Sequence, residues 1–203
     1  MVSFTTAESE EDLLNIISLM KSNLRKTLSL DQQASDGFLS IEFSYDILRK
    51  MNQLAPSIIA TDTTSNKLVG YALASLPEIA VELPDIAKLI LLIKTLDYKG
   101  KPLRDNTYYI LGQICVADGY RGRMVFDGML QKHRELHSDR YEMMITCISN
   151  KNVRSLRAHA RVGFETIYTF NDLSSDDTWH AVLWDWRQSN SSSSPAIEIS
   201  KSK

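Results

Sequence analysis

Residues 110–126 read ILGQICVADGYRGRMVF, and this stretch decides the fold that the sequence predicts. An apolar run ends at Val116, a short polar turn with Gly119 follows, and Tyr-Arg-Gly-Arg leads into a segment with helical periodicity. The first turn of a helix offers backbone N–H groups without intrahelical partners and the positive end of the helix dipole. Arg121 and Arg123 add positive charge. The stretch therefore predicts a pyrophosphate site; the alternative is an ordinary strand–turn–helix connection with surface arginines.

Hydrophobic periodicity outside this stretch predicts an alternation of helices and strands. Helices are expected at residues 10–30, 44–54, 84–96, 123–137 and 152–162, and strands at 57–62, 67–74, 108–116, 141–148, 165–170 and 179–186. The polar residues 31–37 are expected to break the helical pattern. This order is typical of an α/β or α+β protein with helices around a mixed sheet. One domain is expected over residues 1–188, and the serine-rich residues 189–203 are expected to form a flexible tail.

Charge and composition exclude several classes of function. The 203 residues include 23 Lys and Arg against 25 Asp and Glu, so there is no basic excess of the kind that holds nucleic acid or an anionic membrane. Cys115 and Cys147 lie in apolar runs without CxxC spacing, which favours buried free thiols in a reducing compartment. No secretory signal is visible, and the apolar residues 86–96 are about half as long as a membrane span. The cytoplasm is the expected location.

Two motifs resemble those of a known family. Residues 110–126 resemble motif A of the Gcn5-related N-acetyltransferase (GNAT) superfamily, in which a strand ending in Val precedes Tyr-Arg-Gly and a Q/R-x-x-G-x-G/A turn. Residues 152–164, NVRSLRAHARVGF, resemble motif B and follow at the expected distance. With the order of elements, the resemblance covers residues 10–186. It implies an acyl-CoA N-acyltransferase fold: a mixed, mostly antiparallel sheet flanked by helices, with strands 108–116 and 141–148 splayed to admit the pantetheine arm.

The resemblance also implies a cofactor site for acetyl-CoA, with no metal. Arg121 occupies the Q/R position, the amides of residues 121–126 would cradle the pyrophosphate, and the Val116 N–H would point toward the thioester carbonyl. Asn152 and Ser155 match positions beside the pantetheine arm. The complete set of expected cofactor-binding residues is Cys115, Val116, Arg121, Gly122, Arg123, Met124, Val125, Phe126, Asn152, Ser155 and His159.

The sequence departs from the family pattern at three positions. Met124 replaces the first glycine of the turn, Phe126 stands at the Gly/Ala position, and His159 stands where many relatives have a tyrosine that protonates the thiolate. If residue 124 has a left-handed backbone, methionine there costs about 1–2 kcal/mol. If it is already helical, only steric room near the phosphate is lost.

Proton transfer has several candidates. His159 is the expected general acid by position, because histidine titrates near neutrality; the alternative is a packed or capping residue of its helix. Other hydroxyl donors are Tyr109, Tyr120 and Tyr168. Glu42 and Asp46 are candidates for the general base or the amine binder, the alternative being a solvated helix face. Water relayed through Gln113 or the backbone is the remaining option, because strand 108–116 carries no carboxylate.

Two further patterns have a structural interpretation. His133 and His137 are one helical turn apart, as in some zinc sites. However, the glutamate is displaced from the H-E-x-x-H order and no third ligand is apparent, so a polar helix face is favoured. In residues 179–186, strand alternation puts His180, Val182, Trp184 and Trp186 on one face, which favours core or interface packing over a ligand site.

The sequence thus predicts an N-acetyltransferase in which an amine attacks the thioester of acetyl-CoA directly. The acceptor, a small molecule or a peptide amine, cannot be identified, and neither monomer nor homodimer is excluded. The insertion at residues 77–106 is expected beside the acceptor channel, where it would shape specificity. The alternatives are a weakly catalytic acyl-CoA sensor and an interaction domain that keeps the fold without a cofactor.

Overall fold

A seven-stranded sheet forms the centre of the computed structural model, which describes residues 1–172 and 177–187. The strands lie in the order β1-β2-β3-β6-β7-β9-β8. Their bounds are β1 Val2–Thr6, β2 Ile58–Asp62, β3 Lys67–Ser75, β6 Tyr108–Val116, β7 Met143–Ser149, β8 Glu165–Asp172 and β9 Asp177–Asp185. Neighbouring strands in this sheet are antiparallel except for β6 and β7. The predicted mixed, mostly antiparallel sheet is confirmed.

Helices cover both faces of the sheet. They are α1 Glu10–Ser22, α2 Leu30–Asp36, α3 Tyr45–Leu54, α4 Pro84–Ile93, α5 Val125–His137 and α6 Val153–Val162. One apolar core joins α1, α3 and α4 to one face, and a second joins α5 and α6 to the other. Strand β6 serves both cores because successive side chains point to opposite faces: Ile110 enters the first, and Tyr109 and Leu111 enter the second. A two-stranded ribbon, β4 Asp97–Tyr98 and β5 Lys101–Pro102, follows α4.

Capping residues set the starts of the first helices. At α1, Ser9 and Asp12 form a reciprocal capping box, and at α3 the Ser44 hydroxyl accepts a hydrogen bond from the Ile47 N–H. Both helices start as predicted. The expectation for residues 31–37 is wrong, because Ser29 and Gln32 form a second capping box that starts α2 there.

The predicted helix at residues 10–30 is shorter in the structure. It ends at Ser22, and a 3₁₀ turn, Arg25–Thr27, separates it from α2. The chain leaves the helix because Leu24 pairs with Leu39 in a parallel bridge, and the Leu39 N–H donates to the Asn23 carbonyl. The short edge strand β1 was not predicted from the sequence.

Strands β6 and β7 diverge, as the resemblance implies. They pair only from Tyr108↔Met143 to Ile110↔Ile145, and beyond this point β6 stays paired with β3 while β7 stays paired with β9. Gly112 is the extra residue of a bulge in β6, since Leu111 and Gln113 pair with the consecutive residues Ala74 and Leu73. A Cβ atom at Gly112 would lie 2.4 Å from Ser75 Oγ, so glycine is required there. Bulges bend a strand and increase its twist, which helps to open the gap.

Three further sequence predictions can be compared with the structure. Val182, Trp184 and Trp186 are buried in the second core, which confirms the packing interpretation of residues 179–186. Both cysteines are free; Cys115 is buried and Cys147 largely so, and burial raises the pKa of each thiol to about 12. No helix among the described residues is long and apolar enough to cross a membrane. The predicted tail, residues 189–203, lies outside the described residues.

Candidate functional site

A cavity of about 610 Å³ lies where β6 and β7 diverge. Its walls are the end of β6, the turn that leads into α5, the start of α6, and a segment that crosses the opening. We call this segment, residues 30–39, the strap; it consists of α2, Gly37, Phe38 and Leu39. Of the eleven predicted cofactor residues, nine line the cavity: Cys115, Val116, Arg121, Gly122, Met124, Val125, Phe126, Asn152 and Ser155.

The turn before α5 presents backbone amides to this cavity. Gly122 has φ 77° and Met124 has φ 61° and ψ 13°, so both adopt the left-handed conformation. The first backbone hydrogen bond of α5 runs from the Gly128 N–H to the Met124 carbonyl, and no side chain caps the helix. The amides of residues 125–127 therefore precede the intrahelical ladder, as an anion site needs. The Met124 side chain is 65% exposed. Its left-handed backbone conformation destabilises the fold by about 1–2 kcal/mol, because methionine has a Cβ atom.

Arg121 is held by neighbouring groups. Its side chain is only 15% exposed; Nε donates to the Val116 carbonyl at 3.2 Å and Nη2 to Asn23 Oδ1 at 2.8 Å. Nη1 lies 3.1 Å from Asp36 Oδ1 in the strap and 3.7 Å from Asp118 Oδ1. Arg123 does not line the cavity, because its guanidinium lies over the Tyr120 ring at 5.4 Å.

Three arginines of α6 also line the cavity, a feature that the sequence analysis missed. Arg154, Arg157 and Arg161 share one helix face because they are three and four residues apart, and this spacing was the available signal. Arg154 Nη1 donates to the Ser35 carbonyl at 2.7 Å, and Arg161 forms a bidentate pair with Asp127 of α5 at 3.1 and 2.6 Å. The described residues provide no ion-pair partner for Arg157.

Asn152 joins α6 to the strap. Its side-chain oxygen accepts from the Ser155 N–H at 3.4 Å and so caps the helix, while Nδ2 donates to the Phe38 carbonyl at 2.8 Å. The strap comes this close because residue 37 is glycine: its φ is +75°, and a Cβ atom there would lie 2.7 Å from Asn152 Oδ1. Asn152 is thus a structural link as well as a cavity residue.

No family model and no curated protein sequence matches the chain, whereas many solved structures do. Arabidopsis thaliana NAA60 in complex with acetyl-CoA has a TM-score of 0.63 at 14% identity, over 91% of this chain and 99% of that chain. The NatC complex bound to Gag peptide and CoA gives a TM-score of 0.61 at 13% identity, over 91% and 98%. The ribosomal-protein-S18-alanine N-acetyltransferase of Escherichia coli gives a TM-score of 0.58 at 11% identity, over 100% of each chain. This chain has the GNAT fold.

Within the GNAT fold, His159 lies outside the main cavity. It is 2% exposed, and its ring packs edge-on against Phe126 and Phe164 at 5.0 and 4.9 Å between centroids. Nδ1 donates to the Ser155 carbonyl at 2.8 Å, and Nε2 is buried without a hydrogen-bond partner. Burial lowers the pKa of His159 to about 4, so the imidazole is neutral at pH 7. The structure supports the packed alternative; the general-acid role stays a prediction.

A smaller cavity of about 310 Å³ lies between α6 and strands β8 and β9. His159 and Arg157 line it on the helix side, and Thr166 and His180 line it on the sheet side. Phe126, which lines the main cavity, contacts His159, which lines the smaller one. His159 therefore lies behind two residues of the main cavity lining, Phe126 and Ser155.

The other predicted catalytic residues are not brought together. Tyr120 lines the main cavity, but its hydroxyl donates to the Asp62 carboxylate, and this bond raises the pKa of Tyr120. Glu42 lies outside the cavity lining, and its carboxylate accepts a hydrogen bond from Lys26 at 2.6 Å, which lowers the pKa of Glu42. His159, Tyr120 and Glu42 thus have three separate environments.

The remaining candidates for proton transfer also have structural partners or lie on the surface. Gln113 accepts from the Tyr71 hydroxyl at 2.6 Å and donates to the Ile41 carbonyl at 2.8 Å. The Tyr109 hydroxyl is buried against His133 Nδ1 at 3.0 Å. Tyr168 is exposed on β8, and the Asp46 side chain is exposed at the start of α3. Gln113 therefore fixes the loop at Ile41, and none of these groups lines the cavity.

The polar-face interpretation of His133 and His137 is wrong. Both are buried, and the two rings contact Tyr109. His133 Nε2 also bonds to the Ala72 carbonyl at 3.0 Å, and burial lowers the pKa of His133 to about 3. Helical spacing fixes which residues share a face, but it does not reveal which element covers that face. Over residues 1–172 and 177–187, no group of three or more His, Cys, Asp or Glu could hold a metal ion.

A buried carboxylate near the strap was not predicted from the sequence. Asp177, at the start of β9, contacts Arg25 Nη1 at 3.0 Å, Lys151 Nζ at 2.7 Å and Ser149 Oγ at 3.1 Å. The Arg25 guanidinium also lies over the Phe38 ring at 4.9 Å. These contacts connect the base of the strap to the end of β7.

Proposed function

We propose that this protein is an N-acetyltransferase that moves an acetyl group from acetyl-CoA to an amine. The observation that carries the proposal is the uncapped start of α5, which lines a cavity beside the part of β6 that is no longer paired with β7. An anion-binding helix end beside an open strand pair suits a ligand with a diphosphate and a long, thin arm. Acetyl-CoA has both.

In this proposal, the amides of residues 125–127 bind the diphosphate and the pantetheine arm enters between β6 and β7. Arg157 lines the cavity and is available to a phosphate. Arg161, which lies on the same face of α6 four residues later, is already paired with Asp127. Ser155 and Asn152 border the arm. The Val116 N–H would stabilise the oxyanion of the thioester carbonyl, a type of contact worth roughly 3 kcal/mol.

The reaction we propose has no covalent enzyme intermediate. The neutral amine attacks the thioester carbonyl, the C–N bond forms, the C–S bond breaks, and the thiolate of CoA takes up a proton. The nitrogen loses one proton to solvent or to a base such as Glu42. Tyr120 and His159 are the two proposed donors to the thiolate; Tyr120 lines the cavity, and His159 lies behind Phe126.

Single variants separate these donors. If Tyr120 delivers the proton, Tyr120→Phe lowers kcat by tenfold or more while the Kd for CoA stays within about twofold. If His159 delivers it, His159→Phe has that effect instead. Equal and normal turnover in both variants would remove both residues from the reaction and leave water as the donor.

A binding and turnover experiment tests the proposed function. Acetyl-CoA should raise the melting temperature, with about 2.7 kcal/mol of added stability at a ligand concentration of 100 Kd. Thiol release from acetyl-CoA is then measured with a panel of small amines and peptides. Peptides belong in the panel because one structure of similar fold is bound to a Gag peptide. The absence of any thermal shift at millimolar acetyl-CoA would contradict the proposal and favour the interaction domain.

One observation favours a second candidate, an acyl-CoA sensor. The carboxylates in the cavity lining are Asp36 and Asp127, and both are paired with arginines. Both carboxylates are thus engaged with guanidinium groups, and neither stands free to accept a proton from an amine. Binding of acetyl-CoA without thiol release across the whole panel would support the sensor over the enzyme.

A further inference from the structure

The strap carries a carboxylate into the cavity that we assign to the cofactor. Asp36, the last residue of α2, lies 3.1 Å from Arg121 Nη1 and 3.9 Å from Arg154 Nη1. Both arginines line the cavity, one beside the turn before α5 and the other on α6. The Asp36 carboxylate therefore lies beside two guanidinium groups, those of Arg121 and Arg154, to which a diphosphate in this cavity would also bind.

Carboxylates and phosphates compete for the same face of a guanidinium, since both bind it through charge-assisted hydrogen bonds. Arg121 cannot turn away to serve both ligands, because its Nε and Nη2 are held by Val116 and Asn23. A phosphate that reaches Arg121 must therefore replace Asp36 rather than bind beside it.

The two halves of the strap differ in how firmly they are held. Phe38 and Leu39 are buried, Asn152 donates to the Phe38 carbonyl, and Leu39 exchanges backbone hydrogen bonds with Asn23 and Arg25. In contrast, no residue of α2 is buried, and polar contacts hold it: Gln33 donates to the Arg25 and Leu28 carbonyls, and Arg154 donates to the Ser35 carbonyl. Segments with few buried contacts open at low cost in free energy. Gly37, with its left-handed backbone, stands between the halves.

We propose that the strap is an electrostatic latch, in which Asp36 competes with the cofactor's phosphates for Arg121 and Arg154. Binding of the cofactor displaces the Asp36 carboxylate, and α2 moves about Gly37 while Phe38 and Leu39 stay in place. This inference rests on the proposed binding of CoA.

The chain offers a matched control for the latch. Asp118 also lies near Arg121, at 3.7 Å, but it belongs to the turn rather than the strap and its side chain is 94% exposed. Asp36→Asn and Asp118→Asn remove the same charge from the neighbourhood of the same guanidinium. Only the first variant removes an ion pair of the strap.

Isothermal titration with CoA and hydrogen exchange of the backbone amides test the latch together. We expect Asp36→Asn to bind CoA about three- to tenfold more tightly, and Asp118→Asn to change the Kd by less than about twofold. In the unmodified protein, CoA should accelerate exchange at the amides of residues 33–37. In Asp36→Asn these amides should exchange faster than in the unmodified protein even without CoA. Melting by circular dichroism checks that both variants are folded.

Each other outcome has a definite meaning. If CoA binds the unmodified protein and Asp36→Asn equally well, and exchange at residues 33–37 is unchanged, the latch is wrong while the proposed function stands. If both asparagine variants tighten binding equally, the effect is general electrostatics and the latch is again wrong. If CoA binds none of the three proteins, the proposed function fails and the latch fails with it.

Discussion

Two of the helices that border the main cavity, α5 and α6, start in opposite ways. Helix α5 follows Met124, a left-handed residue whose side chain makes no cap. Helix α6 follows Asn152, whose side chain caps the helix and also holds the strap through the Phe38 carbonyl. The start of α5 leaves its amides to a ligand, whereas the start of α6 is satisfied by the chain itself. The start of α5 is therefore suited to binding a ligand, and the start of α6 is suited to holding the strap in position.

The charges of the two helices reinforce this difference. Helix α5 places Asp127 in its first turn, and Arg161 at the far end of α6 binds that carboxylate in a bidentate pair. Helix α6 places Arg154 in its first turn, where it binds the strap. An exposed pair of this kind contributes at most about 1 kcal/mol. Asp127 suits the positive end of the α5 dipole, whereas Arg154 is unfavourable at the start of α6 and is balanced by its contacts with the strap.

The largest expected effect concerns the anion site at the start of α5. Arg121→Glu should raise the Kd for CoA by at least about tenfold, which corresponds to at least about 1.4 kcal/mol of binding free energy. The reason is that it reverses a charge beside the phosphates. Titration calorimetry measures the Kd, and Lys132→Glu on the outer part of α5 is the control. Unchanged affinity in Arg121→Glu would remove Arg121 from the site.

The next effect concerns the cap of α6. Asn152→Ala should lower the free energy of unfolding by about 1–2 kcal/mol, because the helix loses its cap and the Phe38 carbonyl loses its donor. The melting temperature of the variant should fall by a few degrees. Val153→Ala, at an exposed neighbouring position, should have a much smaller effect. Equal shifts in both variants would contradict the positioning role of Asn152.

A third prediction concerns the contact between the helices, where His159 of α6 meets Phe126 of α5. The pKa of His159 is about 4 in the folded protein against an ordinary value of 6.5, so the unfolded chain binds more protons between these values. Its contribution to stability is present above pH 6.5 and is lost as the pH falls toward 4. From pH 7.5 to 5.5 the loss is about 1 kcal/mol.

Denaturant unfolding at several pH values checks this dependence. His159→Phe should make the curve of stability against pH flatter over the same range. If the free energy of unfolding depends on pH equally in His159→Phe and in the unmodified protein, the imidazole of His159 does not stay neutral on folding.

The smallest effect concerns the backbone before α5. Met124→Gly should raise the free energy of unfolding by about 0.5–1 kcal/mol, because glycine adopts φ 61° without steric cost. Met124→Ala is the control, since it removes the same side chain but keeps the Cβ atom. A glycine variant that is no more stable than the alanine variant would contradict the strain at residue 124.

Much of the fold could be predicted because its strands and longer helices have strong periodicity. The strand that ends at Val116 has the predicted bounds, and the helix after the turn differs by two residues at its start. Helix α2 was missed because it is short and polar, and two capping residues rather than an apolar face define it. Strand β1 was missed because only pairing with β2 makes its five residues a strand.

The candidate site could be predicted in its backbone but not in its charges. The turn could be placed because the conformational freedom of glycine acts locally, and a left-handed residue 124 is one of the two alternatives that the sequence leaves open. The partners of Arg121 could not be predicted, because Asp36 and Asn23 are more than 80 residues away in the chain. For the same reason, the burial of His133 under Tyr109 could not be read from helical spacing.

The short pairing between β6 and β7 has a consequence for the sheet as a whole. Strands β1, β2, β3 and β6 come from residues 2–116, and β7, β8 and β9 come from residues 143–185, so each side of the junction is built from a continuous piece of sequence. Within the described part of the sheet, β6 and β7 join the two pieces through three residue pairs. A molecule lying in the gap would touch both pieces, and it would add contacts across the junction where β6 and β7 pair over only three residues.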